Sequence, residues 1–415
     1  MYKHPAIFAD SAAVAQPEAM ARRVSAAESR PRVLLVARWP VGGIRTHLLS
    51  NYSALSEAGF RFTFVGPAND SLDSLRAGFG DIEGAGFIGV PVENRRCRLW
   101  PVVRGLLREG RFGLLHSHGV TAAAHAALAN LGVGVPHIAT LHEPLRPTQF
   151  PGWLGRLKRW TLARALAQAD TILTVSDDAQ ANLLEHFPAL CSRTDRLLTV
   201  PNGIHAQHYA APEGYVTETL RERLGLDAQP FLMGFLGRFM PEKGFPILLE
   251  AVERLARQET VRPFHLVAFG SSDYRREYQN TILRRGLEKF ISLLDFVADV
   301  QPVLRQLDLV VVPSLWEASS LVSMEAMAAG VPVLGSDCIG LREVLRGTPS
   351  RIVTANDPAA LTAGLRAALD EPWTRAARDF APKAQARFDN GHSVRRLTAL
   401  FDSLAARPRA TLQAA

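Results

Sequence analysis

Residues 309–336 read LVVVPSLWEASSLVSMEAMAAGVPVLGS, and the order of residue types in them decides the fold. After Asp308 comes an unbroken apolar run to Val312, the pattern of a strand whose sheet is covered on both faces. Pro313 opens a loop. Residues 320–329 carry a helical pattern, with Ser319 or Ser320 suited to cap its start. Residues 331–334 return to a buried strand. Strand, loop, helix and strand in that order form the repeating unit of a parallel sheet with crossover helices.

The alternation continues outward. Toward the N-terminus lie strand candidates at 32–37, 61–65, 113–116, 137–141, 171–175 and 196–200, separated by helical patterns such as 44–57, 120–131 and 153–167. The rhythm pauses at Pro201-Asn202-Gly203 and the loop-like 204–214. It restarts with strands at 231–236 and 264–269 and helices at 245–258 and 274–285. We therefore expect an α/β fold of two doubly wound, Rossmann-like domains, residues 31–205 and 206–389, facing a central cleft. Residues 1–30 read as a frayed or disordered extension. Ligands of such sheets sit beyond the carboxyl ends of the strands, and the motifs below all follow strand ends.

Composition agrees with a globular chain: 47% of the 415 residues are hydrophobic and 21% charged. No uncharged apolar run reaches the ~18 residues of a membrane-spanning helix, and the first thirty residues lack the apolar core of a secretory signal. Cys97, Cys191 and Cys338 are odd in number and far apart. That excludes a disulfide framework and fits a reducing, cytoplasmic setting. The net charge of +7 is concentrated in residues 1–205, with 22 Lys and Arg against 16 Asp and Glu. Such an excess suits a phosphorylated substrate, an anionic membrane or nucleic acid, or is simply a solvated face.

Three stretches could carry chemistry. Glu317 precedes the helix 320–329 and Glu325 lies about two turns inside it; between them the loop amides and helix start offer donors to a phosphate. Each carboxylate can accept two hydroxyl hydrogen bonds, as ribose and hexose diols supply. Spacing alone equally allows a surface glutamate and a capping one. The second stretch, FLMGFLGRFMPEKG at 231–244, sets Arg238 and Lys243 in a loop beside Gly237. Two cations there can neutralise a pyrophosphate, or be ordinary surface charges. The third is Gly42-Gly43 after the first strand, a turn that lets a backbone approach phosphate or sugar, or no more than a strand-to-helix turn. It lacks the full glycine pattern and the acidic residue of a nicotinamide site. His116, His118 and His142 stand near strand ends without metal-ligand spacing, so no metal is expected. His142 suits a polar wall over a sugar and His116 a structural role.

Together these residues resemble glycosyltransferase family 4, the retaining family with the GT-B fold. The resemblance runs from Arg32 to about Leu404. It rests on Gly42-Gly43, HSHG at 116–119, TLH at 140–142, ADTILTVS at 169–176, VPNGI at 200–204, GRFMPEKG at 237–244 and EASSLVSMEAMAAGVPV at 317–333. The resemblance implies that Arg238 and Lys243 bind the donor diphosphate, that Glu325 holds the ribose and that Glu317 contacts the donor sugar. It implies further that His142 lines the sugar pocket and that the Gly43 amide approaches phosphate or acceptor. Gly237, Ser319, Ser320, Leu321 and Val322 would complete the donor site, with Glu343 in its nucleotide-side wall. Gly42 and His118 would lie on the acceptor side. Residues 390–415 are expected to form a helix packing back on the N-terminal domain, then a frayed tail. Three departures stand out: His205 where the family usually has aspartate, Ala318-Ser319-Ser320 where a glycine is common, and Ile339-Gly340 in place of paired glycines. The first bears on the hinge, and the second on the choice of sugar.

The expected reaction moves a sugar from a nucleotide-diphosphate donor to a glycan or lipid-linked acceptor, in surface polysaccharide or glycolipid synthesis. Fixed cations would stabilise the leaving charge without a metal or other cofactor. The nearest approach to an acidic metal motif, Asp81-Ile82-Glu83, is not one. Nor need Glu317 act as a covalent nucleophile. No nucleic acid is expected as a partner. Arg95, Arg96, Arg98, Arg156, Lys158 and Arg159, with Trp153 and Trp160, suit peripheral contact with an anionic membrane, unless the tryptophans and leucines of 153–164 pack inward. Competing readings are a sugar-nucleotide epimerase or phosphorylase of the same fold, and a non-catalytic partner subunit.

Overall fold

The computed structural model describes residues 30–407, apart from 81, 83–84, 94–95, 211–218, 227–228, 260–261, 272–273 and 372. The expectations for residues 1–29, Asp81, Glu83, Arg95 and the tail beyond 407 fall outside the described residues.

Among the described residues two parallel sheets with flanking helices carry the fold, beside a two-stranded antiparallel ribbon of Val92–Glu93 and Arg96–Cys97. The first contains β1 (Arg32–Ala37), β2 (Arg61–Pro67), β3 (Ala85–Val90), β4 (Leu114–His118), β5 (His137–Leu141), β6 (Thr171–Thr174) and β7 (Leu197–Thr199). Their spatial order is β3-β2-β1-β4-β5-β6-β7. The second contains β8 (Phe231–Leu236), β9 (Phe264–Phe269), β10 (Ile291–Leu294), β11 (Leu309–Val312), β12 (Val333–Ser336) and β13 (Arg351–Val353). Their order is β10-β9-β8-β11-β12-β13. All pairings within the two sheets are parallel. These are two Rossmann-like units. Strands such as β11 are buried along their whole length, which is why the sequence shows a continuous apolar run and no alternation there.

The strand order reverses once in each sheet, and each reversal opens a crevice at the strands' carboxyl ends. In the first sheet it lies between β1 and β4, where Ala37 pairs with His118. Gly42 and the helix α1 (Gly43–Glu57) follow β1 there. In the second it lies between β8 and β11. The loops leaving those two strands are 237–244 and 313–320, which carry Arg238, Lys243 and Glu317.

The chain crosses between the halves twice. Ile204 forms a bridge with Asp389, and the Asn390 amide donates to the Ile204 carbonyl at 2.9 Å. A Cβ on Gly203 would meet the Asn390 Cα at 2.5 Å, so the two crossing strands touch where only glycine fits. His205, the departure at the hinge, has its Nε2 3.2 Å from the Ser50 hydroxyl. After the second crossing a C-terminal helix, Gly391–Ala405, buries Leu397, Phe401 and Leu404 in the core of the first sheet, beside Phe60, Phe62 and Leu114.

Candidate active site

The site is built from loops that both sheets deliver to one crevice. Lys243 ends a short 3-10 turn, Pro241–Lys243, and Gly244 follows in the left-handed region at φ +72°. A Cβ there would fall 1.8 Å from the Pro313 carbonyl oxygen. This close approach joins the loop after β8 to the loop after β11. As a result the Lys243 Nζ lies 2.5 Å from the Glu317 Oε1, and the Ser314 hydroxyl donates to the same oxygen at 3.0 Å. The pair is mostly screened from water, with the two side chains 25% and 12% exposed. Cys338 lies within the field of both charges; burial pushes its thiol up to about 11.

Arg238 leaves the end of β8 exposed and crosses to the other half. Its guanidinium lies 3.8–3.9 Å from where a Gly42 Cβ would stand. Gly42 itself has φ +55°, a second reason for glycine at that turn. A cation of the second sheet, Arg238, therefore faces the Gly42 turn of the first.

The helix α2 (Leu321–Ala328) starts at Ser320. The serine occupies the capping position, yet its hydroxyl lies 2.9 Å from the Ser323 hydroxyl and makes no bond to a first-turn amide. No side chain caps this helix start. One turn further, Glu325 is half-buried and accepts a hydrogen bond from Tyr209. Burial pushes its carboxyl from 4.5 up to about 7, aided by Asp299 and opposed by the Tyr209 hydrogen bond and His208.

On the opposing wall the histidines form a chain. The His142 Nε2 lies 2.9 Å from the His118 Nδ1, and the His118 Nε2 lies 2.9 Å from the Tyr52 hydroxyl. That hydroxyl is 2.7 Å from the His116 Nδ1, whose ring ends on Thr140 at 2.7 Å. Both ring nitrogens of His118 are thus engaged, and it meets the cleft through His142. Burial drives His116, His118 and His142 well below the ordinary histidine value, so all three are neutral at pH 7. His47 joins them: ring nitrogens of His47, His118 and His142 lie within 4.8 Å of one another. Its Nδ1 is held by Asn202 at 2.9 Å, and its buried Nε2 has no partner. Among the described residues these three are the group able to offer a metal three nitrogens, although His118 and His142 already bond each other.

The sequence did not single out His47, Tyr209, Arg146, Trp316, Asp178 or Arg342. The Trp316 indole donates to the Pro144 carbonyl at 3.0 Å, and Arg146 lies over the Trp316 ring and 3.5 Å from Glu242. Each of these contacts joins one half to the other, and a one-dimensional pattern carries no signal for them. Glu343 also crosses the cleft: its two oxygens accept from the Asp177 and Asp178 amides at 3.2 and 2.8 Å.

The helix Gly152–Leu166 packs Leu162, Ala163 and Leu166 on the core and presents Trp153, Leu154, Leu157 and Trp160 outward. Trp153 is 67% exposed and Trp160 56%, with Leu154 and Leu157 exposed between them; only Gly155 and Leu166 are buried. Inward packing of these side chains is therefore not what the fold does with them. Arg156, Lys158 and Arg159 are exposed on the same helix, and Arg98 is exposed elsewhere on this half. Among the described residues no helix is long and apolar enough to cross a membrane.

Two facing Rossmann-like sheets, with cations and carboxylates at their shared crevice, define a glycosyltransferase of the GT-B class. Residues 41–208 match Glycosyltransferase Family 4 and residues 230–371 match Glycosyl transferases group 1; the chain belongs to this family. It is 28% identical over 353 residues to the phosphatidyl-myo-inositol mannosyltransferase of Mycolicibacterium smegmatis, covering 81% of this chain and 83% of that one. It is 30% identical over 214 residues to the D-inositol 3-phosphate glycosyltransferase of Corynebacterium efficiens, a match that spans half of each chain. Among solved structures, Anabaena Alr3699/HepE in complex with UDP-glucose superposes with a TM-score of 0.74 at 21% identity, over 90% of this chain and all of that one.

Proposed function

We propose that the protein is a retaining, metal-independent glycosyltransferase that moves a sugar from a nucleotide-diphosphate donor to a glycan or lipid-linked acceptor. The observation that carries this reading is the Lys243–Glu317 pair at the carboxyl-end crevice of the second sheet, with Arg238 facing Gly42 across it. Residues 206–389 hold the donor and residues 31–205 select the acceptor. Arg238 and Lys243 take the diphosphate, with the amides of Ser319, Ser320, Leu321 and Val322 at the uncapped start of α2 and the Gly237 turn beside it. Glu325 holds the ribose. Glu317, oriented by Lys243 and Ser314, takes hydroxyls of the donor sugar. His142 lines the sugar pocket, and the Gly43 amide meets phosphate or acceptor, with Gly42 and His118 beside them on the acceptor side.

As the bond from anomeric carbon to phosphate oxygen breaks, negative charge collects on the leaving diphosphate. The two cations stabilise that charge more than the ground state, which is how they accelerate the step. The acceptor oxygen attacks from the same face and its proton passes to the departing phosphate oxygen. No carboxylate nucleophile is required. The UDP-glucose bound by the cyanobacterial neighbour and the lipid in the mycobacterial relative's name both support this choice of donor and acceptor classes.

The exposed Trp153, Leu154, Leu157 and Trp160, interleaved with Arg156, Lys158 and Arg159, suit the headgroup region of an anionic bilayer. The enzyme then works at the inner face of the cytoplasmic membrane. Incubation with UDP-, GDP- and ADP-sugars and extracted glycolipid acceptors tests the proposal. The expected product keeps the donor's anomeric configuration and forms at an unchanged rate in EDTA. An inverted product, a glycosyl adduct on Glu317 or donor isomerisation without transfer would overturn it.

A further inference from the structure

Glu343 and its neighbours do something that a nucleotide wall does not require. The helix Asp177–His186 begins on the first domain at the edge of the cleft. Its start is fully occupied. Ser176 accepts from the Ala179 amide at 3.1 Å, and the Ser176 carbonyl accepts from Gln180. The two remaining amides, Asp177 and Asp178, donate to the two oxygens of Glu343 on the second domain. The exchange is returned. Asp178 accepts a forked pair from Arg342, 2.7 Å from Nε and 3.0 Å from a terminal nitrogen, and also the Gly340 amide at 3.2 Å. Arg342 is the first cause holding the Asp178 carboxyl below its ordinary value. Charge-assisted bonds of this forked kind are among the strongest that surface groups make.

The segment so anchored touches the donor loop. Gly340 has φ +75°, and a Cβ on it would fall 2.2 Å from the Ala318 carbonyl oxygen and 2.8 Å from that of Glu317. The backbone bearing Glu317 thus rests directly on the residue whose amide Asp178 holds. On the other side, the Arg387 guanidinium donates to the carbonyls of Glu343 and Arg346, fixing the same segment from the helix that leads to the second crossing.

We propose that Asp178, Arg342 and Glu343 form an interdomain latch: positioning residues that hold the cleft closed and, through Gly340, seat the Glu317 backbone. Asp178 and Glu343 act as one unit, although they lie on different domains and Asp178 belongs to no donor motif. The effect on turnover rests on the transferase reading; the effect on closure does not.

The test separates the two. Cys191 is exposed on the first domain and takes one dye; Glu288→Cys, exposed on the second, takes the other. Interdomain energy transfer is read without ligand in the otherwise unaltered chain and in Asp178→Ala, Glu343→Ala and the double variant. Far-ultraviolet circular dichroism checks that each variant is folded, and Glu343→Gln, which keeps one acceptor oxygen, serves as the milder change. The expected result is a shift toward longer distance in both single variants, no further shift in the double, and an intermediate value for Glu343→Gln. The open state should gain about tenfold in population, equivalent to about 1.4 kcal/mol. Transfer to the accepted donor and acceptor should fall by a similar factor in both single variants, with KM for donor rising. Unchanged distances in all variants would overturn the latch. So would loss of donor binding confined to Glu343→Ala, because that is the behaviour of a residue lining the nucleotide. Absence of any transferase activity with altered distances would leave the latch standing and refute the transferase reading alone.

Discussion

Glu325 gives the sharpest test of how the donor is held. In the free protein its carboxyl is pushed from 4.5 up to about 7 by burial first, with Asp299 adding to the rise. At 1.36 kcal/mol per pH unit, the ionised form is disfavoured by about 3 kcal/mol. The folded state therefore holds a proton that the unfolded chain has released between about pH 4.5 and 7. Stability from this group is greatest at the acid side of that window and is lost as pH rises through 7. A carboxylate that accepts two ribose hydroxyls works best ionised, so donor binding opposes the proton. At pH 6 roughly one molecule in ten has Glu325 ionised, and at pH 8 roughly nine in ten. Donor affinity measured by calorimetry should rise about tenfold over that range, with proton release visible as a dependence on buffer ionisation heat. Glu325→Gln keeps the shape and removes the titration: its affinity should be weak and flat, and its stability at pH 8 should equal or exceed that of the parent. An affinity that is flat from pH 6 to 8 in the parent, or equally steep in Glu325→Gln, would refute the reasoning.

Other consequences can be measured directly. Replacing Lys243 or Arg238 with alanine should lower kcat by about 100- to 1000-fold, the usual effect of losing one donor to a developing oxyanion, in steady-state transfer assays. A drop below fivefold would remove that cation from the mechanism. Gly244→Ala should destabilise the fold by about 3 kcal/mol in urea unfolding, since the residue sits at φ +72° and its Cβ would collide with the Pro313 carbonyl. Trp153→Ser with Leu157→Ser should abolish flotation with phosphatidylglycerol vesicles while changing Tm by less than a degree or two, because neither side chain is part of the core.

What was legible in the sequence follows from how locally each feature is encoded. Buried central strands such as β1, β8 and β11 announce themselves as apolar runs, and their order marks both sheets. Three of the four edge strands did not. AGFIGV at 85–90 is broken by glycines, ISLL at 291–294 is only half-buried, and RIV at 351–353 is three residues with Ile352 exposed. Such strands are held by pairing to a neighbour and carry no periodicity of their own. Strand β4 runs three residues further than its apolar run, because His116 and His118 are buried polar residues that Tyr52, Thr140 and His142 satisfy from elsewhere. Arg238, Lys243 and Glu317 were legible as residue types in strand-end loops. The 2.5 Å contact between Lys243 and Glu317 was not, since it depends on Gly244 meeting Pro313. Least legible were the contacts that tie Asp178 to Arg342 and Glu343, whose partners lie more than 160 residues away.

The return of the final helix to the first sheet has a practical corollary for chimeric enzymes. The first half is not one continuous piece of chain, because Leu397, Phe401 and Leu404 complete the core around Phe60, Phe62 and Leu114. Grafting a foreign sugar-nucleotide module onto this acceptor module therefore takes two splices, one beside Ile204 and one beside Asp389, where the incoming and outgoing backbones already run paired. A hybrid joined only at the first of them would inherit a stranger's last helix against its own aromatic core, and should fold poorly whatever the quality of its new donor pocket.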